Sequence, residues 1–253
     1  MASEKPSGPP SVSVIVPLYN AEGWVMSLVE DIHNSITSRI PFSEILLVDD
    51  QSRDKTWAIL RELKEVYEEM KIFRMRETSG LGACSVRGFL EAKSRIMFHF
   101  EPHCVWKAEI FWAMAQKRAE MGKGAVFAVR DASRRRFREK AYFSLFRTQY
   151  IEPWSLPVPD AASPAQLFSK SDFDKVHVLL PENAVAPSLD LYLMFMFFGV
   201  PVDTYVLGDT FHLGDKRRSL PPIFSGLQTI QRCGEEIEKL RKDLHRIEGL
   251  LEI

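Results

Sequence analysis

Cysteine is scarce in this sequence. Three residues, Cys84, Cys104 and Cys233, are scattered over 253 positions, with no CxxC or CxxxC pair. That argues against a cysteine zinc site or a disulfide framework and fits a reducing compartment. An excess of one charge is also missing: 33 Lys+Arg face 34 Asp+Glu, a net of -1. This excludes the chain-wide basic field of nucleic-acid binders, so no nucleic-acid partner is expected. No apolar run is long enough for a bilayer. The most apolar stretch, LYLMFMFFGVPV, lies between Asp190 and Asp203, well short of the ~20 residues a span needs. It reads as a buried helix running into a strand. The opening MASEKPSGPP has no apolar core, so residues 1–10 are expected to be a disordered lead-in and not a secretory signal. Internal repeats and long low-complexity runs are absent too. What remains is ordinary globular composition, 45% hydrophobic and 26% charged, in a length that suits one large domain or two small ones.

The pattern along the chain alternates. Residues 12–20 (VSVIVPLYN) begin as a buried strand stopped by Pro17. Residues 22–38 carry an apolar stripe of Trp24, Leu28, Val29, Ile32 and Ile36, which predicts a helix. EILLVDD (44–50) is a second buried strand ending in two carboxylates. A helix follows, capped by Ser52 or Asp54 and running to about residue 70. KIFRMR is a short strand, and SGLGACSVRGFLEAKS is a glycine turn opening a helix. RIMFHF is a strand, residues 106–121 a helix, and GAVFAVR a strand. Such alternation predicts an α/β fold, a mostly parallel sheet with helices on both faces. Polar groups then collect at the carboxyl ends of the strands. Tyr19–Asn20, Asp49–Asp50 and Glu101–His103 stand at three such ends.

Those ends suit a nucleotide. A base needs a carboxylate for its N–H donors and an aromatic or proline wall, and Pro17, Tyr19, Asp49 and Asp50 offer both. A diphosphate needs a helix N-terminus, glycine-exposed N–H groups or a metal. The turn holding Gly80 and Gly82, and the pair Glu101/His103, are the candidates. This G-x-G follows the third strand, not the first, which counts against a dinucleotide-binding fingerprint.

SVSVIVPLYNAE followed by EILLVDDQSRDKT resembles the opening of glycosyltransferase family 2, which has the Rossmann-like GT-A fold. SGLGACSVRGFLEAKS is similar to the glycine turn of its polyprenyl-phosphate members, the dolichol-phosphate mannose synthase type. VRDASRRRFREKAYFSLFR resembles their arginine-bearing segment, and VPDAASPAQLFSKSDFDKV their D-x-x-x-x-F-R-L-x-R segment. The likeness spans roughly residues 11–220, taken as one GT-A domain, with residues 221–253 as a helical tail. It implies a nucleotide-sugar donor, UDP- or GDP-linked, and inverting transfer. It places Pro17, Tyr19 and Glu22 at the nucleoside, Asp49 or Asp50 on base or ribose, and Arg87 toward the diphosphate. Arg130 opens the arginine-bearing segment. Asp160 is the acidic residue of the last segment, able to bind acceptor or orient an arginine.

Two positions depart from the family pattern. The metal motif D-x-D aligns with Glu101-Pro102-His103. One carboxylate and one imidazole suit Mn²⁺ better than Mg²⁺, so a divalent cofactor, Mn or Mg, rests on Glu101 and His103. The E-D pair that supplies a base in many soluble members aligns with Pro187-Ser188, with Asp190 nearby. A hydroxyl acceptor needs a base; a lipid phosphate is already ionised and needs none. The leading expectation is therefore sugar transfer to a polyprenyl phosphate. The alternatives are a hydroxyl acceptor with Asp190 or Asp160 as base, and an inactive GT-A module that binds or scaffolds.

Arg130, Arg134, Arg135, Arg136, Arg138 and Lys140 precede the aromatic stretch AYFSLFRTQYIEPW. A basic segment beside an aromatic amphipathic one suits a lipid-phosphate acceptor at a membrane surface; a solvated arginine face is the plainer reading. Lys216 and Arg218, after His212 and Gly214, are candidates for a loop closing over the donor diphosphate. In the tail, Ile237, Leu240, Leu244, Ile247 and Leu251 fall three and four apart, a short coiled-coil seam that packs on the body or pairs two copies. The expected location is cytoplasmic, with any membrane contact peripheral.

Overall fold

The computed structural model describes residues 10–101, 108–130, 163–180, 182, 184 and 187–207, together with 235, 238, 239, 242 and 243. Seven strands form one sheet: β1 (Val12–Leu18), β2 (Glu44–Asp49), β3 (Met70–Arg74), β4 (Ile96–Phe100), β5 (Ala125–Arg130), β6 (Ala165–Ser169) and β7 (Val202–Leu207). Their order is β3-β2-β1-β4-β6-β5-β7. The β3-β2-β1-β4 half is parallel throughout, as is the β5–β7 pair. β6 runs antiparallel to both β4 and β5.

Strands β1 and β2 are buried along their whole length, which is why they read as continuous apolar runs and not as alternating ones. Their alternate side chains feed two cores. Ile15, Leu46, Met97, Phe127 and Phe168 face α3 (Leu81–Glu91) and α6 (Pro187–Phe197). Val14, Val16, Ile45, Leu47 and Phe98 face α1 (Val25–Ile32), α2 (Thr56–Val66) and α4 (Ala108–Met121). Each such side chain contributes about 1.5–3 kcal/mol of burial. A short α5 (Lys170–Phe173), capped by Ser169, follows β6. Helix α3 lies so close to β1 that a Cβ on Gly88 would sit 2.3 Å from Ile15 Cγ2.

The α/β sheet with helices on both faces is as expected. Four details differ. β1 does not stop at Pro17 but runs through it, in register with Val48. Pairing with β4 ends at Ile15, two residues before the missing N–H of the proline. The predicted helix 22–38 starts at Val25, because residues 20–22 are fastened to another loop, and it finishes as a π-helical turn, His33–Thr37. Helix α2 ends at Val66 because Met70 already belongs to β3. Strand β6 was not anticipated: five residues between Pro164 and Lys170 carry little local signal, and only the slot between β4 and β5 defines them.

Candidate functional site

Two loops leave the carboxyl ends of β1 and β2, each through a left-handed residue, Asn20 (φ 50°) and Gln51 (φ 55°). They are cross-tied. Asn20 N–H donates to Ser52 Oγ at 2.9 Å and Ala21 N–H to Thr56 Oγ1 at 2.6 Å. Glu22 N–H donates to Asp54 at 3.1 Å. In return Arg53 N–H donates to Asn20 Oδ1 and Lys55 N–H to Glu22 Oε2, both at 2.9 Å. Burial pushes the Asp54 carboxyl up, but hydrogen bonds from Thr56 and Glu22 outweigh it and hold it below its ordinary value. The exposed Glu22, expected at a nucleoside, is thus engaged in the tie. Tyr19 is half-buried beside it, and Pro17 is buried within β1.

The two carboxylates of β2 have separate tasks. Asp49 is fully buried; it accepts from Ser52 N–H at 3.2 Å and pairs with Arg74 Nε at 3.1 Å. The Arg74 guanidinium also lies 5.3 Å over the Trp57 ring. Asp50 accepts from Ser79 N–H at 2.7 Å and from Gly80 N–H at 3.0 Å. Gly80, at φ 93°, is the residue from which α3 springs, with no side-chain cap. The N–H groups of Leu81, Gly82 and Ala83 then fall in the first turn, where the helix itself provides no acceptor. Cys84 N–H makes the first bond back to Gly80 O. Burial, reinforced by the Asp50 charge, pushes the Cys84 thiol far up, so it is inert as a nucleophile. Arg87 is bound to Glu91 at 2.6 Å and lies over Phe73, one turn further from Gly80.

The other side of the site is buried and polar. His99 and Gln166 are direct partners across β4 and β6. Burial holds the His99 ring below its ordinary value. Glu101 continues the ladder through its N–H to Pro164 O at 2.8 Å and shares a strand face with His99. Asp190 is 2% exposed in the first turn of α6. Arg130 closes β5, in register with Leu207.

The structure therefore brings Tyr19, Glu22, Asp49, Asp50, Gly80, Gly82, Glu101 and Asp190 to one end of the sheet. His103, Asp160, Lys216 and Arg218 lie outside the described residues, as do the seam residues of the tail. Glu235, Glu238, Lys239, Lys242 and Asp243 are helical. Among the described residues no group of three His, Cys, Asp or Glu is placed to hold a metal, and no helix is long and apolar enough to cross a membrane. Sequence reasoning missed Arg74, His99 and Gln166. Arg74 was detectable as the cation closing a strand at the carboxyl end. His99 was detectable as an imidazole inside an apolar strand.

Comparison with known proteins gives a family and a fold. The family described as Glycosyl transferase family 2 matches residues 13–177. A dolichol-phosphate mannosyltransferase of Pyrococcus furiosus is 36% identical over 85 residues, 34% of this chain and 23% of that protein. A putative teichuronic acid biosynthesis glycosyltransferase of Bacillus subtilis is 29% identical over 100 residues, covering 40% and 38%. The chain thus matches well under half the length of these curated relatives. In structure, the mannosyl-3-phosphoglycerate synthase of Rubrobacter xylanophilus superposes with a TM-score of 0.65 at 14% identity, over 92% of this chain and 75% of that one. A mannosyltransferase of Pyrobaculum calidifontis, in complex with GDP-Man and Mn²⁺, gives 0.58 at 18% identity, over 80% and 59%. At such identities the structures speak for the fold, the GT-A arrangement that the sequence resemblance implied. With the family match spanning most of the described sheet, the chain belongs to glycosyltransferase family 2.

Proposed function

We propose that the chain transfers a sugar from a nucleotide-sugar donor to a polyprenyl phosphate by inverting displacement. The observation that carries the donor half is the grip of Asp50 on the N–H groups of Ser79 and Gly80. It aims the uncapped first turn of α3 at the carboxyl end of the sheet, where a diphosphate is favoured. Beside it, Tyr19 and Arg74, the latter held by buried Asp49, offer a wall and a polar floor for a nucleoside. The Pyrobaculum neighbour was solved with GDP-Man and the Staphylococcus aureus TarS neighbour with UDP, and either class of donor is proposed here.

A divalent cation would be held by Glu101 and His103. Glu101 is half-buried on the strand face of His99, whose ring is bonded to Ser85 in the second turn of α3. One carboxylate with one imidazole fits Mn²⁺ better than Mg²⁺. When bound, the cation neutralises the departing nucleoside diphosphate. The acceptor half rests on the alignment of Pro187-Ser188 with the acidic pair of hydroxyl-directed members, since an ionised phosphate attacks without a base. Buried Asp190, one turn into α6, supports a second reading, a hydroxyl acceptor with Asp190 as its base. The same proposal puts the protein on the cytoplasmic face of a membrane, held peripherally.

The test has two stages. Thermal shifts with GDP, UDP, GDP-mannose and UDP-glucose are measured in EDTA, Mg²⁺ and Mn²⁺; a ligand that binds the native state raises the melting temperature by mass action. Labelled sugar is then offered polyprenyl phosphate or soluble glycosides. Transfer into the organic phase that survives Asp190→Asn supports the phosphate acceptor. Transfer to a glycoside, lost on the order of 10²–10⁴-fold in Asp190→Asn, supports the second reading. Absence of any shift counts against transfer altogether and favours a binding module.

A further inference from the structure

Between the two halves of the site runs a chain of buried polar side chains that neither half uses directly. Ser85, in the second turn of α3, has its Oγ 2.8 Å from His99 Nε2. His99 Nδ1 is 2.5 Å from Gln166 Oε1. Gln166 Nε2 donates to Ser163 O at 2.6 Å and to Ser188 Oγ, in the first turn of α6, at 2.9 Å. All five residues are at most 4% exposed.

The orientation of the Gln166 amide is determined. A backbone carbonyl only accepts, so the end of Gln166 facing Ser163 O must be its NH₂. Its oxygen therefore faces His99, and the imidazole proton sits on Nδ1. Nε2 of the ring then faces the Ser85 hydroxyl, whose oxygen also lies 2.9 Å from Leu81 O in the first turn of α3. Phe89 packs edge-on against the ring with centroids 5.1 Å apart, which fixes its plane. Such a chain, fully satisfied in a low-dielectric interior, is stiff. It starts on the helix whose first turn faces the proposed donor and ends on the helix that carries Asp190.

We infer that Ser85, His99, Gln166 and Ser188 are positioning residues that set the placement of the first turn of α6 against that of α3, and so the approach of acceptor to donor. This rests on the transferase reading for its consequence, but not for the coupling itself. A misplacement of about 1 Å in such a geometry costs on the order of 100-fold in turnover. Donor binding, made by the N–H groups of the first turn of α3 and by β1–β3, is unaffected.

The test uses Ser85→Ala, Ser188→Ala and the double variant in the full chain. Hydrogen exchange reads the coupling without any ligand. Ser188→Ala is expected to speed exchange of the amides at 84–86 several-fold, and to have no such effect when residue 85 is already Ala. Unchanged exchange, or an equal increase in both backgrounds, overturns the inference. Release of GDP from GDP-mannose and of UDP from UDP-glucose reads the consequence. Each single variant is expected to lose roughly 10- to 100-fold in kcat with KM within twofold, and the double variant to be no slower than the slower single. Losses that multiply, or KM rising in step with the loss of rate, also overturn it. If the parent protein releases neither nucleotide, the transferase reading loses its support while the exchange measurement still decides the coupling.

Discussion

Asp50 accepts the N–H of Gly80 at 3.0 Å, and that bond joins the end of β2 to the start of α3 across thirty residues of chain. The same carboxylate takes the Ser79 N–H. One residue of the paired-aspartate motif is thereby spent on shaping the glycine turn. Its neighbour Asp49, fully buried against Arg74, shapes the end of β3.

Asp50→Asn is expected to remove one of the two charge-assisted acceptors and present an NH₂ to a backbone donor. The cost is about 1.5–3 kcal/mol in stability, read from the urea midpoint. The thermal shift from GDP-mannose or UDP-glucose should vanish with it, since the turn loses its aim. A variant that keeps the parent shift would separate the turn from the donor site.

Thr56→Val keeps the shape of the side chain but removes the acceptor of Ala21 N–H and the donor to Asp54. Ala21 is buried, so its N–H is left unsatisfied, at about 1–3 kcal/mol. Urea denaturation checks the loss. Proteolysis at residues 20–24 should rise in parallel, because the tie to the β2–α2 loop is what holds that segment.

Acid should weaken the protein through two carboxyls at the opposite end of the sheet. Burial raises Glu44, but the Lys71 ammonium, Ser13 hydroxyl and Lys93 N–H outweigh it and hold the group below its ordinary 4.5. Glu69 is likewise raised by burial and lowered further by His33 and Thr37. A carboxyl lowered on folding binds fewer protons folded than unfolded. Its stabilisation is complete above pH ~4.5 and is lost as pH falls through the folded value. Melting curves from pH 7 to 3 are expected to drop below about pH 4.5. Glu44→Gln should lower the melting temperature at pH 7 and flatten that acid limb.

Gly88→Ala forces a methyl against Ile15 Cγ2, where only 2.3 Å is available. Overpacking of this kind costs about 1–3 kcal/mol, and here it pushes α3 off β1. Denaturant unfolding gives the stability change. The nucleotide-induced thermal shift tells whether the displaced helix still presents its first turn.

Much of this protein was legible before any coordinates. β1, β2 and β4 announce themselves because a strand buried on both faces must be a continuous apolar run. The carboxylates at the ends of β2 and β4 are legible because a parallel sheet gathers its polar residues at one end. Those local rules placed Tyr19, Asp49, Asp50 and the Gly80 turn together, and the motif spacing carried the family. Tertiary structure alone decided the rest. β6 exists only because β4 and β5 leave a slot between them. Glu22 and Asp54 are thirty-two residues apart in the chain, and their hydrogen bond has no trace in either one's neighbours. The pairing of His99 with Gln166 depends on an antiparallel register that no periodicity encodes. Periodicity tells which face a residue occupies; which partner meets it there is settled by the packing of elements distant in sequence.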